Sequence, residues 1–345
     1  MKKKLKNISA GMLILCFAFI SACGGGSGGG GTTDLGSGSG ESDSVFTPYS
    51  ITFDKNDGLA SGIMEKYAVK SKSLLLPTCK FKKTGYVFKG WATNSGGGVV
   101  YLNNAPAPYS ENDLVLYAVW TEPVSGAAGT AAADFDYFEV NGEITITKYT
   151  GSDTDVTIPP TIEAKPVTAL YSSGNSVSAV FYNNTTLTLV VFPDSLTSIG
   201  DSAFANCESL TQIDLPDSVT SIGDFAFSDC YSLTQIDLPD SLTTIGGYAF
   251  ADCRRLAILE IPKTVTTITA NPVAGCSVLR EIKVHPENKH FIIQNGVLLT
   301  FDAKKIIAYP AGKSGTVYIC PDTVTSIGDS AFANCESLTQ IDLPD

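Results

Sequence analysis

The stretch that decides the fold is residues 197–217, TSIGDSAFANCESLTQIDLPD, because the same string returns without change at residues 325–345. Between these copies the pattern recurs with a period of 23 residues. A short fixed period is typical of solenoids, in which no repeat can bury its apolar face alone and each one stacks on its neighbours. The sequence therefore predicts a solenoid of short coils with one continuous core.

Within one coil, the apolar spacing of Leu210-Thr211-Gln212-Ile213-Asp214-Leu215 predicts a short strand whose Gln212 and Asp214 face outward. Pro216-Asp217 predicts the turn after it, and residues 218–222 predict a second short strand. Asp224 is a candidate N-cap for one helical turn. The predicted fold class is mainly β with short helical turns, a repeat solenoid preceded by a small β domain.

Two columns of residues mark the predicted core. The aromatic column is Phe204, Phe227 and Phe250, with Val273 continuing it and Phe332 returning to it; the thiol column is Cys207, Cys230, Cys253, Cys276 and Cys335. Stacked cysteines allow either disulfides or buried thiols, and the parallel Cβ vectors of a straight column favour thiols. The same straight column cannot surround a tetrahedral zinc ion, so neither a metal nor another cofactor is expected.

The repeat resembles the BspA-like type of leucine-rich repeat, with its LPxSvTsIGxxAFxxCxxLxxI unit, over residues 134–345. That resemblance implies a bacterial surface protein that adheres to host matrix proteins, host cells or other bacteria. The final string stops where a new coil begins, so no C-terminal cap is expected and Ile327, Phe332, Leu338 and Ile341 should form an exposed apolar surface.

The first 23 residues predict an export signal. Four lysines precede an apolar run that is too short to span a bilayer, and the residues before Cys23 resemble the lipobox of bacterial lipoproteins. Residues 1–22 are thus predicted to be a signal peptide and Cys23 a lipidated residue that anchors the chain to a membrane. The location predicted is the cell envelope, facing outward from the outer membrane or cell surface.

Residues 23–48 are rich in Gly and Ser and predict a tether. In residues 49–122, ITFDKND, GYVFKGWATNSGGG and LVLYAVW resemble the internalin-type B-repeat, also called the Listeria-Bacteroides repeat, which implies a small β-grasp-like module without catalytic residues. Residues 123–133 are a linker to the repeat domain.

Positions that vary between otherwise similar repeats are candidates for ligand contact. Exposed aromatic residues and arginines are common at interaction hot spots, although surface drift explains the same variation. The candidate contact residues are Phe225, Tyr231, Tyr248, Arg254 and Arg255. Acidic residues also recur on the predicted strands, at Asp214, Asp237, Glu260 and Asp342, where stacked like charges can recruit a cation or a basic partner or can simply be solvated.

Charge and motif content exclude several functions. Beyond the first six residues, 19 basic residues face 35 acidic ones, which is a poor composition for binding nucleic acid. No nucleophile elbow, phosphate loop or zinc-protease motif occurs. The function predicted is a non-enzymatic, lipid-anchored protein whose solenoid binds macromolecules. The alternatives are a surface hydrolase that uses His285, His290 and Asp302 in the segment inserted before the last repeat, here expected to be a surface loop, or a shortened, non-functional array.

Overall fold

The computed structural model describes residues 4–6 and 47–344, except for 57–59, 61–63, 71–73, 75, 78, 80, 82–86, 102–106, 109, 111, 122–129 and 172–178. The predicted lipidation site Cys23, most of the predicted signal peptide and most of the tether therefore lie outside the described residues. The first strand, β1 (Lys4–Lys6), pairs antiparallel with Gln340–Asp342 at the other end of the chain.

The N-terminal domain is a four-stranded sheet around a tryptophan. Its strands are β2 (Tyr49–Asp54), β3 (Tyr67–Val69), β4 (Val87–Ala92) and β5 (Leu114–Thr121), in the spatial order β3-β2-β5-β4 with β2 and β5 parallel. Trp91 is fully buried and its ring lies 4.7 Å from that of Phe53 and 4.9 Å from that of Phe88. Aromatic clustering of this kind gives a small domain its core.

The repeat domain opens with a hairpin that covers its first coil. After the short 3-10 helix η1 (Ala132–Asp134), β6 (Phe135–Val140) and β7 (Glu143–Tyr149) pair antiparallel. The next strands are β8 (Asp155–Thr157), β9 (Thr161–Ile162) and β10 (Lys165–Leu170), and β10 lies parallel to β7. From β10 onward the chain winds through two short strands per coil.

Two sets of parallel strands run along the solenoid: the first strands of the coils pair two by two, and the second strands form one continuous sheet. The first strands of the coils are β11 (Leu189–Val191), β13 (Gln212–Asp214), β15 (Gln235–Asp237), β17 (Ile258–Ile261) and β19 (Glu281–Val284). The second strands are β12 (Ser198–Ile199), β14 (Ser221–Ile222), β16 (Thr244–Ile245) and β18 (Thr267–Ile268). The register joins equivalent residues of adjacent coils, as in Ile213 with Ile236 and Ile222 with Ile245. The predicted two-strand coil is thus the observed unit.

A series of tight turns over residues 224–232, called the turn run below together with its equivalents in other coils, occupies the place of the predicted helical turn after Asp224. Some backbone amides in this run donate to carbonyls of the next coil, such as Phe227 N to Ala249 O at 2.7 Å, whereas Ser228 N donates to Phe225 O within the run at 3.0 Å. Phe225 and Asp229 have positive φ values of 56° and 58°, which breaks helical geometry. The carboxylate of Asp224 accepts a hydrogen bond from Gly247 N of the next coil at 2.6 Å, so it caps a neighbouring coil and not its own.

The segment inserted before the last repeat is a buried meander, and the expectation of a surface loop was wrong. Its strands β20 (Phe291–Gln294), β21 (Val297–Thr300) and β22 (Lys305–Ala308) pair antiparallel in sequence. Leu298 packs into the main solenoid core, whereas Leu299 on the opposite face packs into a second core. Because side chains alternate between the two faces of a strand, the meander contributes residues to both cores.

The final coil completes the second core. Its strands are β23 (Val317–Ile319), β24 (Ser326–Ile327) and β25 (Gln340–Asp342); β22 pairs parallel with β24, and β23 pairs parallel with β25. Leu338 and Ile341 are buried, and Phe332 is partly buried beside Tyr309. Of the residues expected to form an exposed apolar surface, only Ile327 is open, with 45% exposure.

Candidate binding surface

The candidate surface is supported by a rigid stack of phenylalanines. Phe204, Phe227 and Phe250 are fully buried, and their rings lie nearly parallel with centroids 5.1 and 5.7 Å apart. Phe181 extends the stack at 5.0 Å from Phe204. The coil spacing sets these distances, so Phe204 and Phe227 each contact a ring on either side. Phe225 and Tyr248, two positions before Phe227 and Phe250, are held at a similar spacing of 5.0 Å.

The cysteine column binds each coil to the one before it. The thiols of Cys207, Cys230 and Cys253 each donate to a Phe carbonyl oxygen 26 residues earlier, at 3.2 Å, and Cys276 donates at 3.0 Å. All cysteines of the described residues are free thiols. Each thiol therefore adds a hydrogen bond between coils, and the Phe181, Phe204 and Phe250 carbonyls also accept a backbone amide.

Burial keeps these sulfurs protonated. It raises the pKa of Cys207 and Cys276 to about 12 and that of Cys230 and Cys253 well above the ordinary thiol range. Only the thiolate is an effective nucleophile or metal ligand. No group of three or more His, Cys, Asp or Glu side chains suited to a metal ion occurs within the ranges that the structure describes.

The inserted segment restores both columns after the meander. Tyr309 lies in the aromatic column: its amide donates to Ala331 O, and its carbonyl faces the Cys335 sulfur at 3.9 Å, again over 26 residues. Gly312 occupies the position that a cysteine of the thiol column occupies in the other coils. A Cβ there would lie 2.6 Å from the Val278 carbonyl carbon, so the close approach of the two coils requires glycine.

Two of the candidate contact residues form a stacked pair on the surface. The rings of Phe225 and Tyr248 lie 5.0 Å apart with an interplanar angle of 11°, and Phe225 is 44% exposed. The Tyr248 hydroxyl lies 3.1 Å from the Ser330 hydroxyl of the final coil. Both aromatic residues have positive φ, a conformation that disfavours large side chains. The turn run thus holds two stacked aromatic rings at the surface, and the positive φ values make this conformation energetically costly for the backbone.

A second pair lies at the other end of the same turn run. The guanidinium carbon of Arg254 is 4.6 Å from the centre of the Tyr231 ring, a cation–π contact. The Tyr231 hydroxyl donates to Asp229 at 3.1 Å, and Arg254 lies 3.5 Å from the Asp252 carboxylate. Desolvation, followed by the charge of Asp229, raises the pKa of Tyr231 to about 12, so its hydroxyl remains a donor.

The structure therefore joins four of the five candidate residues into two pairs across adjacent coils. Arg255, the fifth, is exposed beside Arg254. Both pairs combine a flat apolar ring with polar edges, which is the chemistry of a surface that recognises protein. Comparison of the repeats with one another identified these residues by their variation. It did not show which residues pair, because the pairing depends on the distance between adjacent coils.

The histidines of the alternative hydrolase site face solvent. His285 Nδ1 accepts from the Glu287 amide at 3.2 Å, and Asp302 accepts from the Thr300 hydroxyl at 2.7 Å and from the Lys304 amide. The bonds to Asp302 lower the pKa of its carboxyl, Thr300 having the larger effect. Buried Asn288, which the sequence did not single out, ties this segment to the core by donating to Pro262 O and Val265 O at 2.9 and 3.0 Å.

This geometry defines a class of protein, the leucine-rich repeat solenoids with parallel strands. Comparison with protein families places the BspA type Leucine rich repeat region, in six copies, at residues 175–296 and 312–345, and the Listeria-Bacteroides repeat domain at residues 49–119. The chain therefore contains a BspA-type repeat region behind a Listeria-Bacteroides repeat. No curated protein matched it.

Several solved structures are similar to the chain. The leucine-rich repeat protein TpLRR of T. pallidum is 26% identical over 63% of this chain and 84% of its own, with a TM-score of 0.43. A leucine-rich repeat protein of Eubacterium ventriosum is 25% identical over 59% of this chain and 56% of its own (TM-score 0.45). A leucine rich cell surface protein of Faecalibacterium prausnitzii is 25% identical over 64% and 77% (TM-score 0.40).

The repeat family points to a protein-binding solenoid. Within the part of the chain that the structure describes, no helix has the length and apolar character needed to cross a membrane.

Proposed function

We propose that this chain is a lipid-anchored bacterial surface protein that acts as an adhesin, with its solenoid binding host matrix proteins, host cells or other bacteria. The observation that carries the proposal is the pair of stacked contacts, Phe225 with Tyr248 and Tyr231 with Arg254, on an otherwise uniform array. Repeat cores are fixed by packing, so ligand specificity resides in outward residues that differ between coils.

Anchoring at Cys23 rests on the sequence alone: the lipobox-like ISAC follows an apolar run. Attached acyl chains hold a protein at a membrane without a transmembrane helix. The Gly/Ser-rich residues 24–44 then separate the folded part from the membrane surface. An outward-facing location agrees with the description of the F. prausnitzii relative as a cell surface protein.

We also propose that the chain is not an enzyme. The exposed His285 and His290 and the hydrogen-bonded Asp302 support this proposal, because general acid–base catalysis needs groups gathered around one reacting atom. A hydrolase would instead lose activity in a His285→Ala/His290→Ala double variant.

A binding experiment tests the adhesin proposal. The purified chain is passed over immobilised fibronectin, laminin and collagen, alongside the variants Phe225→Ala and Arg254→Ala. Binding that falls at least tenfold in either variant, with an unchanged circular dichroism spectrum, is the expected result. Thr220→Ala, at an exposed site away from the turn run, is the matched control. Failure to bind any matrix protein, host cell or bacterial surface would contradict the proposal.

Labelling with a radioactive fatty acid tests the anchor separately. Label is expected in the wild-type chain and should disappear in Cys23→Ala. A labelled Cys23→Ala variant, or an unlabelled wild type that stays in the cytoplasm, would contradict lipid anchoring.

A further inference from the structure

The final coil of the solenoid touches the aromatic pair of the candidate surface. The Tyr248 hydroxyl lies 3.1 Å from the Ser330 hydroxyl, although 82 residues separate the two. The Ser330 carbonyl oxygen also accepts a hydrogen bond of 2.7 Å from the side-chain amide of Asn271. The Asn271 carbonyl oxygen in turn accepts the backbone amide of Tyr248 at 3.1 Å. Each pair among Tyr248, Asn271 and Ser330 is therefore joined by one hydrogen bond.

Asn271 is the buried member of these three residues. It is 1% exposed, and both side-chain polar atoms have partners: Nδ2 donates to the Ser330 carbonyl, and Oδ1 accepts the Val273 amide at 3.0 Å. A buried amide group with both atoms paired has a fixed orientation, because a rotation would leave a donor or an acceptor unsatisfied. Asn271 thus fixes the backbone of Ser330 relative to the backbone of Tyr248.

The two ends of Tyr248 are tied to different coils. Its backbone amide is bound to Asn271 in the next coil, and its hydroxyl meets Ser330 beyond the inserted segment. The aromatic ring between these ends stacks on Phe225 with an interplanar angle of 11°. A tyrosine ring that is held by stacking alone can turn about its two side-chain torsions, and a hydrogen bond at the hydroxyl removes that freedom. Ser330 therefore keeps the Tyr248 ring parallel to that of Phe225.

The first of the two identical strings contains a counterpart of Ser330. Ser202 and Ser330 occupy the same position in residues 197–217 and 325–345, and both have positive φ values, of 56° and 55°. Ser202 is buried, with 5% exposure, whereas Ser330 is exposed and meets Tyr248. The two serines thus share their local sequence and conformation and differ in their place in the fold.

We propose that Ser330 is a positioning residue of the candidate binding surface: its hydroxyl, held in place by Asn271, keeps Tyr248 in the stacked orientation that a ligand meets. The proposal rests on the proposed function, in which Phe225 and Tyr248 contact the ligand. It adds that the final coil completes this surface from beyond the inserted segment. A side chain that is ordered before binding loses less entropy in the complex, and this difference changes affinity about two- to tenfold.

Nuclear magnetic resonance of the tyrosine rings tests the positioning without any ligand. The full chain is labelled with ring-¹³C tyrosine, and the Tyr248 signal is assigned as the one that Tyr248→Phe removes. Ser330→Ala should increase the ring mobility measured by relaxation of this signal, whereas Ser202→Ala should leave it unchanged. Circular dichroism verifies that each variant is folded. Unchanged relaxation in Ser330→Ala, or an equal change in Ser202→Ala, would overturn the proposal.

Binding to immobilised fibronectin, laminin and collagen tests the consequence for the ligand. On a matrix protein that binds the wild-type chain, Ser330→Ala should bind about two- to tenfold more weakly, and Ser202→Ala should bind as the wild type does. In a Tyr248→Phe background, Ser330→Ala should have no further effect, because the partner hydroxyl is already absent. A further loss in that background, or wild-type affinity in Ser330→Ala alone, would overturn the positioning role. If the wild type binds no matrix protein, host cell or bacterial surface, the proposed function fails, and the ring mobility still decides whether Ser330 positions Tyr248.

Discussion

Phe227→Ala removes the central ring of the aromatic stack. Phe227 is fully buried and contacts Phe204 on one side and Phe250 on the other, with centroids 5.1 and 5.7 Å away. Neighbouring coils are fixed by their backbone ladders and cannot close around the gap. The substitution thus loses both the transfer free energy of the ring and the packing around it.

We expect the loss to be about 4 kcal/mol, within the range of about 3 to 5 kcal/mol found for buried Phe→Ala substitutions. Phe225→Ala, two residues earlier, is the matched control. Its ring is 44% exposed and stacks only on Tyr248, so its loss should be below about 1.5 kcal/mol. Both variants remove a phenylalanine ring, but the ring of Phe227 points into the core and that of Phe225 points toward solvent.

The assay is urea-induced unfolding followed by circular dichroism and by hydrogen exchange at residues 225–253. Hydrogen exchange is needed because a solenoid can open locally while its other coils remain folded. Protection in the three coils around Phe227 should fall in Phe227→Ala and remain in Phe225→Ala. Equal losses in the two variants would refute the assigned register of the turn run.

Three further predictions concern the columns and the surface pair. Gly312→Cys, which completes the cysteine column, should destabilise the protein by about 1 to 3 kcal/mol in urea titration, because its Cβ would meet the Val278 backbone at 2.6 Å. Native Cys253 should resist a thiol reagent at pH 8 until the protein is unfolded, since burial raises its pKa. Desolvation, then the charge of Asp229, raises the pKa of Asp252, so folding favours its protonated form. Its stabilising effect is present at low pH and is lost as pH rises through the folded pKa; Asp252→Asn should therefore gain stability relative to wild type between pH 3 and pH 7.

Each of these predictions has its own control. Gly98→Ala, with no atom within 4 Å of the added Cβ, should leave stability unchanged. Partly exposed Cys335 should react with the thiol reagent before Cys253 does. A stability difference between Asp252→Asn and wild type that does not change with pH would show that the carboxyl titrates alike in the folded and unfolded chain. An unchanged free energy of unfolding in Gly312→Cys would mean that the two coils can move apart without an energetic cost.

Periodicity alone determined the solenoid. The 23-residue recurrence of Phe204, Phe227 and Phe250 specified which side chains face inward, and the alternation around Ile213 specified a strand. Such patterns are local: each coil repeats the same intracoil geometry, so the register follows from one repeat. The varied positions Phe225, Tyr231, Tyr248 and Arg254 could be identified in the same way.

Only the tertiary structure decided what breaks the period. Tyr309 and Gly312 belong to the aromatic and cysteine columns and keep the 23-residue spacing to Phe332 and Cys335, but the meander sets them 36 residues after Val273 and Cys276. The predicted helical turn gave way to hydrogen bonds between coils, which a single repeat cannot specify. The hydrogen bond from Gln212 to the Phe88 carbonyl links the repeat domain to the N-terminal domain over 124 residues. Such contacts depend on the shapes and charges of finished surfaces, and no spacing along the chain encodes them.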